Sequence, residues 1–315
     1  MAEIGTDIEL AISLLRSDEL VGIPTETVYG LAGNALSEDA ILKIYKTKNR
    51  PKFDPLIAHT SSMDTVRDLV KNIPRGAIRL ADQLWPGPLT LLLEKSERIP
   101  DLLTSGLSRV AFRIPKHPIT LELLDRLDFP VAAPSANPFG YVSPVEASHV
   151  NQQLGDKINY ILDGGPCKVG LESTIVGFEG EKATVHRLGG TSIDEIRGIV
   201  GDVEIDTNNS SNPSAPGMLK SHYSPGRKLL LGNIDENMRK FQNKKLGIIS
   251  FSIPYPLATK QFVLSPSGNL AEAAGNLFKA LRLMDDPEIE LILSEEVPSQ
   301  GLGLAINDRL RRAAV

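Results

Sequence analysis

The segment Gly22-Ile-Pro-Thr-Glu-Thr-Val-Tyr-Gly-Leu31 is the most informative stretch of this 315-residue chain. It places two threonines, a tyrosine and two glycines between apolar residues, which indicates the wall of a small-ligand pocket. A basic cluster of Lys46, Lys48, Arg50 and Lys52 follows a helical segment. Lysine supplies a point charge and arginine donates bidentate hydrogen bonds, so the cluster predicts a phosphate-binding site. The alternative is a solvated basic helix end, which the helix dipole favours.

The composition narrows the class of protein. Hydrophobic residues at 41% and charged residues at 23% are typical of a globular protein with a substantial core. A net charge of -5 and an aromatic content of 5% argue against a protein that mainly grips nucleic acid. Cys167 is the single cysteine, so no internal disulfide can form, and no Cys/His spacing predicts structural zinc. Without a signal-like N-terminus or a long apolar run, we expect a cytoplasmic protein outside the membrane.

Hydrophobic periodicity predicts strands and helices that are interleaved without strict alternation, and therefore a mixed α/β sheet. One helix begins after Ser143-Pro144, because proline is well tolerated in a first turn. The other predicted helices of the first part cover 7–16, 37–49, 62–72, 74–84, 118–127 and 192–200, and the strands cover 20–23, 55–59, 89–94, 109–114, 131–134, 158–162, 172–178 and 183–188.

A change of composition near residue 204 predicts a domain boundary. Residues 206–227 are polar and rich in proline and glycine, as expected for a linker. Beyond them, strands at 228–231, 246–251 and 290–293 and helices at 268–284 and 303–313 predict a second α/β domain. The predicted organisation is 1–204, a linker at 205–227, and 228–315. A loop of this length is often functional, so we also expect the linker to act as a lid.

Several polar residues lie where a ligand would be bound, and each has an alternative explanation that needs no ligand. Ser135-Ala-Asn137 directly follows a buried strand. Its small polar side chains could contact phosphate or ribose, or they could form a turn that binds no ligand. Arg113 sits in an apolar strand and needs either a ligand carboxylate or an internal acid as its partner. His59 is more typical of a structural histidine, and the hydroxyls of Glu172-Ser-Thr174 either line a pocket or satisfy backbone groups. Arg187 places another cation before a glycine turn. Since neither common glycine-rich phosphate motif is present, any nucleotide must be held another way.

The order of these motifs identifies a resemblance. The run Pro24–Leu31, Lys48-x-Arg50, Trp85-Pro-Gly-Pro-Leu-Thr90, Arg113-Ile-Pro, Pro134-Ser-Ala-Asn137, Glu172-Ser-Thr174 and Arg187-Leu-Gly-Gly closely resembles the YrdC-like domain. Pro216-Gly-Met218, His222-Tyr-Ser-Pro225 and Gly301–Asn307 resemble the linker and C-terminal domain of the long, two-domain threonylcarbamoyl-AMP synthases. The resemblance covers essentially the whole chain.

The resemblance implies a fold and an activity. The fold is a YrdC-like twisted mixed sheet surrounded by helices, followed by a smaller Rossmann-like α/β domain. The activity joins L-threonine, bicarbonate or CO2 and ATP into threonylcarbamoyladenylate and releases pyrophosphate, with Mg2+ assisting ATP. The product passes to the enzymes that transfer the threonylcarbamoyl group to tRNA. We expect neither membrane association nor stable binding of nucleic acid.

The resemblance also implies a set of site residues. The catalytic signature falls on Lys48, Arg50, Ser135 and Asn137. The implied ATP contacts are Arg50, Asp54, Arg109, Ser135, Ser143, Arg187 and Tyr223, and the implied threonine contacts are Thr27, His59, Arg113, Ala133 and Ser173. No protein metal ligand is implied.

Two other functions remain as alternatives at this point. An RNA-binding module would use the basic concave surface typical of YrdC-like domains, but the acidic net charge and the few aromatics weigh against it. A carbamoyl-transfer domain of a hydrogenase-maturation protein would carry zinc-finger cysteine pairs, and the chain has only one cysteine.

Overall fold

The computed structural model describes residues 1–207 and 223–314 and divides the chain into two compact units. The first unit comprises Met1–Phe139, Pro144–Lys168 and Glu172–Leu219, and the second comprises Gly140–Ser143, Val169–Leu171 and Lys220–Val315. Most of the predicted linker lies outside the described residues, including Pro216-Gly-Met218 and His222. Its role as a lid therefore stays a prediction, as do the domain limits at 204 and 228.

The first unit is built on a large mixed sheet, which confirms the predicted fold class. Its twelve described strands are β1 (Glu3–Gly5), β2 (Val21–Ile23), β3 (Gly30–Asn34), β4 (Ile57–His59), β5 (Val70–Asn72), β6 (Leu89–Lys95), β7 (Arg109–Arg113), β8 (Val131–Ala132), β9 (Tyr160–Leu162), β10 (Thr174–Glu179), β11 (Lys182–Arg187) and β12 (Val203–Ile205). Their order is β1-β9-β2-β3-β8-β4-β7-β6-β10-β11-β12, with β5 paired to β6. Parallel and antiparallel pairs both occur within the sheet.

Helices accompany these strands along the chain. They are α1 (Ile8–Arg16), α2 (Glu38–Lys48), α3 (Met63–Leu69), α4 (Arg75–Leu84), α5 (Asp101–Thr104), α6 (Pro118–Asp125), α7 (Ala147–Leu154) and α8 (Ile193–Val200). Helix α2 matters most for the site. The Ser37 side chain caps its start by accepting from the Ala40 N–H, and Asn49, in the left-handed conformation, ends it. These two signals fix Lys48 and Arg50 at the end of the helix.

Two differences from the predicted elements have physical reasons. The helix predicted over 62–72 ends at Leu69, because Val70–Asn72 forms a strand antiparallel to β6. Strand β3 was not predicted. Its sequence, Gly-Leu-Ala-Gly-Asn, contains two glycines and no β-branched residue, so pairing with β2 and β8 overrides a weak local preference.

The second unit contains a small parallel sheet, as expected for the smaller α/β domain. Its strands β13 (Leu229–Leu231), β14 (Leu246–Ser250), β15 (Lys260–Val263) and β16 (Leu291–Ser294) lie in the order β13-β16-β14-β15. Its helices are α9 (Ile234–Lys240), α10 (Leu270–Met284) and α11 (Gly303–Ala313). Among the helices of the described ranges, none is both long and apolar enough to cross a membrane.

Candidate active site

An apolar floor lies on one face of the central strands. Ile57 pairs with Ala111, and Ala111 pairs with Leu92 on the next strand. Side chains paired directly across strands, or two residues apart along one, point to the same face. Together with Ile175, these residues form a buried apolar cluster. The registers therefore identify which other side chains share this face.

Polar groups from four strands share one end of that face. His59 pairs with Arg113 across β4 and β7. Thr90 on β6 pairs with Ile175, which pairs in turn with Arg187 on β11. Residues predicted from separate motifs, for threonine and for ATP, are thus gathered at the same end of one sheet face.

Arg187 and Ser173 contact each other directly. Arg187 donates from Nε to the Ser173 carbonyl and from Nη2 to Ser173 Oγ, both at 3.0 Å. Ser173 Oγ also lies 2.7 Å from Thr90 Oγ1. All three side chains are buried. The predicted ATP residue Arg187 therefore shares a hydrogen-bond network with the predicted threonine residue Ser173.

Arg113 has an internal acid as its partner, which confirms one of its two explanations. Its Nη2 lies 2.7 Å from Glu26 Oε1, and its Nε donates to the Gly87 carbonyl at 3.2 Å. Glu26 Oε2 accepts the Lys116 N–H at 2.9 Å. Glu26 lies within the first motif, but the motif alone indicates no role for it. Because no contact occupies Nη1 among the described residues, that atom is available to a ligand carboxylate, which stays a prediction.

His59 is a buried, neutral histidine. It is 2% exposed, and its Nδ1 lies 3.2 Å from the Ile57 carbonyl. Since a carbonyl oxygen only accepts, Nδ1 carries the proton and Nε2 is the acceptor. Burial, and then the charges of Arg113 and Arg187, lower the pKa of His59 to about 3. A neutral acceptor beside two arginines can bind a polar ligand group without adding charge.

This burial predicts how stability depends on pH. The pKa of His59 is lowered from 6.5 to about 3, so its favourable contribution is complete above about pH 6.5 and is lost as pH falls toward about 3. Burial also lowers the pKa of His117 and His186, with the same sign. Between pH 7 and pH 5, His59 alone is expected to remove about 2 kcal/mol of unfolding free energy.

Urea unfolding at pH 7 and pH 5 measures this effect. His59→Gln keeps a polar side chain of similar length and lacks the titration, so it should lose less stability over the same interval. Equal losses in the two proteins would show that His59 is not the group responsible.

The threonines of the first motif form a small hydrogen-bond relay. Thr25 Oγ1 donates to the Val28 carbonyl at 2.6 Å and lies 2.8 Å from Thr27 Oγ1. Because Thr25 has one hydroxyl proton, Thr27 is the donor in the second contact. Thr27 is therefore fixed with its lone pairs available as acceptors. Its predicted contact with threonine is compatible with this arrangement and stays a prediction.

Lys48 supports a loop, and the interpretation as a solvated helix end is wrong for it. The side chain is 1% exposed, and Nζ donates to the carbonyls of Ser135 and Asn137, both at 2.5 Å. Burial, followed by the charge of Arg50, lowers the Lys48 pKa well below its usual value. Lys48 Nζ thus joins the end of α2 to the Ser135–Asn137 loop, where Asn137 Nδ2 also donates to the Pro138 carbonyl.

Arg50 is more buried than its sequence context suggests. A solvated helix end would leave the side chain exposed, but it is 7% exposed because it pairs with Asp54 at 2.8 Å. Its Nε and Nη2 also donate to the carbonyls of Asp54 and Pro55, and its guanidinium lies 5.9 Å from the centre of the Phe139 ring. Asp54 has no exposed side-chain surface. The carboxylate predicted near ATP thus has a basic partner.

The first motif and the Ser135–Asn137 loop are joined through their backbones. Leu31 N–H donates to the Pro134 carbonyl at 2.7 Å, and Ala136 N–H donates to the Tyr29 carbonyl at 2.8 Å. A Cβ at Gly30 would lie 3.1 Å from the Cβ of Ala133, so glycine permits this close approach. Two motifs more than a hundred residues apart therefore form one wall.

The remaining predicted residues are Arg109, Ser143 and Tyr223. Arg109 shares the face but lies at the opposite end of β7, about 13 Å along the strand from Arg113. Ser143 belongs to the second unit, where its carbonyl accepts from Arg282 at 3.2 Å. Tyr223 also belongs to the second unit, where it is 1% exposed and stacks on Phe278. Their predicted roles toward ATP stay predictions.

Comparisons with known proteins identify the family of the chain. A family model for Sua5, YciO and YrdC proteins, described as telomere recombination, matches residues 13–189, and one for the threonylcarbamoyl-AMP synthase C-terminal domain matches 191–315. The threonylcarbamoyl-AMP synthases of Pyrococcus abyssi and Bacillus subtilis are 41% and 36% identical over 98% of this chain, which covers 94% and 92% of their lengths.

A solved structure gives the same result across both units. The crystal structure of P. abyssi Sua5 complexed with L-threonine matches with a TM-score of 0.93 and 39% identity. The match covers 100% of this chain and 97% of that one. The chain therefore belongs to the threonylcarbamoyl-AMP synthase family.

Proposed function

We propose that this chain forms L-threonylcarbamoyladenylate from L-threonine, bicarbonate or CO2 and ATP, with release of pyrophosphate. The observation that carries the proposal is the gathering of Arg113, His59, Ser173 and Arg187 at one end of a single sheet face. The similar Sua5 protein of P. abyssi was crystallised with L-threonine. An amino acid and a nucleotide bound at this face would have their reacting groups side by side.

The amino-acid half of the site follows from the contacts of Arg113. Glu26 and Gly87 hold two of its nitrogens, so Nη1 is left for the carboxylate of threonine. Thr27 and Ser173 would accept from or donate to the amino acid's polar groups, and Ala133 would face its methyl group. Neutral His59 adds an acceptor without competing for the carboxylate.

The nucleotide half needs positive charge and little covalent chemistry. Arg50 and Arg187 would stabilise charge on the phosphates, and Ser135 and Asn137 would orient them. Lys48 acts as a positioning residue for the loop that carries Ser135. Among the described residues, no three acidic, histidine or cysteine side chains cluster to hold a metal. We therefore assign Mg2+ to the phosphates of ATP, with which it enters.

The reaction then proceeds by positioning. The unprotonated amine of threonine attacks CO2 and loses a proton to give a carbamate. A carbamate oxygen then attacks the α-phosphorus and displaces pyrophosphate. Because the site holds the three reactants in line, it lowers the entropy cost of bringing them together. The product mixed anhydride would pass to an enzyme that transfers the threonylcarbamoyl group to tRNA. We place both steps in the cytoplasm.

Amino-acid choice tests the proposal. Serine lacks one methyl group, so apolar contact should reduce its kcat/KM by only about 10- to 200-fold. Valine leaves buried hydrogen-bonding groups of the site unpaired and should be rejected by about 10⁴-fold. The measurement is pyrophosphate release with each amino acid, with and without bicarbonate. Equal use of valine and threonine, or release that ignores bicarbonate, would contradict the assignment.

The RNA-binding alternative makes a different prediction. Binding carried by phosphate contacts falls steeply as salt rises, whereas threonine-dependent pyrophosphate release should change little. No observation on the described residues favours RNA binding. Salt-sensitive RNA binding in a protein that releases no pyrophosphate would support it instead.

A further inference from the structure

Two short segments of the chain belong to the second unit although the residues around them belong to the first. They are Gly140–Ser143 and Val169–Leu171. Each is directly continuous with a predicted site motif. The first begins three residues after Asn137, and the second ends immediately before Glu172 and Ser173. The contacts that these segments make within the second unit therefore bear on the geometry of the two motifs.

Arg282, in the last turn of α10, holds the first of these segments. Its Nε donates to the Ser143 carbonyl at 3.2 Å, and its Nη2 donates to the Val142 carbonyl at 2.5 Å. The guanidinium also lies 5.3 Å from the centre of the Tyr141 ring, within the range of a cation–π contact. Because Val142 and Ser143 are fully buried, water cannot readily replace this donor.

Asp285, the C-cap of α10, is a second anchor for the same segment. Tyr141 Oη donates to Asp285 Oδ2. Burial, followed by the bond to Asp285, raises the pKa of Tyr141, so its hydroxyl keeps the proton that it donates. The Gly140 carbonyl accepts the Ser224 N–H at 3.0 Å. Each residue of the segment thus has a contact within the second unit.

The other end of the same loop is held by similar chemistry. Lys48 Nζ donates to the carbonyls of Ser135 and Asn137, and the Lys48 carbonyl accepts the Phe139 N–H at 2.8 Å. Lys48 and Arg282 are thus two basic side chains that each donate to two main-chain carbonyls of the loop 135–143. Burial lowers the pKa of Arg282 to about 10, so it remains charged at neutral pH, and hydrogen bonds from a charged donor are the stronger kind.

Gly170 seats the second segment against the backbone of α10. It has a φ of +69°, in the left-handed region that favours glycine. A Cβ at this position would lie 2.5 Å from the Ala274 carbonyl oxygen and 2.6 Å from Gly275 Cα. Leu171 follows and is fully buried, and Ser173 comes two residues later. Helix α10 therefore contacts both of the segments that lead into or out of a site motif.

We propose that Arg282 and Asp285 are positioning residues for the nucleotide, because they fix the end of the loop that carries Ser135, Asn137 and Ser143. The proposal rests on the proposed function, in which Ser135 and Asn137 orient the phosphates and Ser143 is a predicted ATP contact. The second unit then contributes to catalysis through the path of this loop, without supplying from α10 a group that touches the substrates.

Kinetics of the full-length protein test this role. Arg282→Ala should lower kcat/KM for ATP by about tenfold to a hundredfold, the scale of one or two hydrogen bonds to a charged donor. KM for threonine should stay unchanged, because Arg113 and Ser173 keep their own contacts. Arg282→Lys keeps a charged donor and should recover part of the loss. Arg239→Ala, which removes an exposed arginine that donates within α9, is the control and should match wild type.

Hydrogen exchange gives a measurement that does not depend on activity. The N–H groups of Ala136 and Phe139 donate to the carbonyls of Tyr29 and Lys48. Exchange in a peptide that covers 135–143 therefore reports whether the loop keeps its path. Arg282→Ala should speed exchange in this peptide by about tenfold and leave α2 unchanged. If wild-type protein releases no pyrophosphate with threonine, the proposed function fails separately, and the exchange result still decides whether Arg282 positions the loop.

Tyr141→Phe keeps the proposal testable if Arg282→Ala does not fold. It deletes one hydroxyl and the bond to Asp285, so it should give the same changes at a smaller size. Wild-type exchange in the 135–143 peptide, or an unchanged kcat/KM for ATP in a folded variant, overturns the proposal. An equal loss for ATP and threonine, with a lower thermal midpoint in both Arg282→Ala and Arg282→Lys, also overturns it, because that pattern indicates a general loss of stability.

Discussion

Replacing Arg50 with alanine is expected to reduce turnover by about two to three orders of magnitude, the usual effect of losing a transition-state charge contact. It should also destabilise the fold by about 3–5 kcal/mol, because it leaves a buried carboxylate without its guanidinium. That carboxylate belongs to Asp54, whose side chain has no exposed surface and lies 2.8 Å from Arg50. Arg50 is thus expected to serve both the chemistry and the fold.

A paired replacement separates these two effects. Arg50→Met combined with Asp54→Leu removes both charges from the buried site, and such exchanges are often neutral for stability. The double variant should therefore regain most of the lost unfolding free energy and remain inactive. Arg67→Ala breaks an exposed pair with Asp64 and should change stability by less than about 1 kcal/mol. Adenylate synthesis at a near wild-type rate by the double variant would remove Arg50 from the mechanism.

The sequence predicted most of the regular elements because their signals are local. Helix α2 was expected over 37–49 and occupies Glu38–Lys48, where a serine cap and a left-handed asparagine mark the two ends. Strand β3 could not be found in the same way. Its glycines give no strand signal, and its position depends on pairing with Ala132 and Val131, about a hundred residues away. Local preference decides helix ends, whereas sheet membership depends on distant partners.

In the site as well, motif order predicted which residues are functional candidates but not which atoms they contact. Motif order identified Lys48 and Arg113 as functional candidates. It did not indicate that Lys48 Nζ donates to carbonyls 87 and 89 residues away. The partner of Arg113 could have been inferred from the rule that a buried arginine needs an anion, since Glu26 lies inside the first motif. The contact of Arg282 with the Ser143 carbonyl has no sequence signal, because the two residues lie 139 positions apart.

Arg113→Met is expected to abolish use of threonine while leaving the nucleotide site intact. The variant removes Nη1, the atom that would donate to the ligand carboxylate. It also truncates one member of a buried charge pair, which costs about 3–5 kcal/mol of unfolding free energy. Glu26 is that partner, and it is buried, so Arg113→Met alone should unfold at lower urea concentration. Adding Glu26→Gln removes the unpaired charge and keeps an acceptor for the Lys116 N–H.

The double variant Glu26→Gln with Arg113→Met is the decisive protein, because its stability should approach that of wild type. Its affinity for ATP, measured by calorimetry, should stay within about threefold of wild type, whereas threonine binding should fall by at least about a hundredfold, the usual cost of losing a charged hydrogen-bonded pair. Glu26→Gln alone keeps the guanidinium and should still bind threonine. If the double variant binds threonine as well as Glu26→Gln does, the carboxylate is held elsewhere. If both substrates weaken together, Arg113 supports the sheet face as a whole and does not recognise the amino acid.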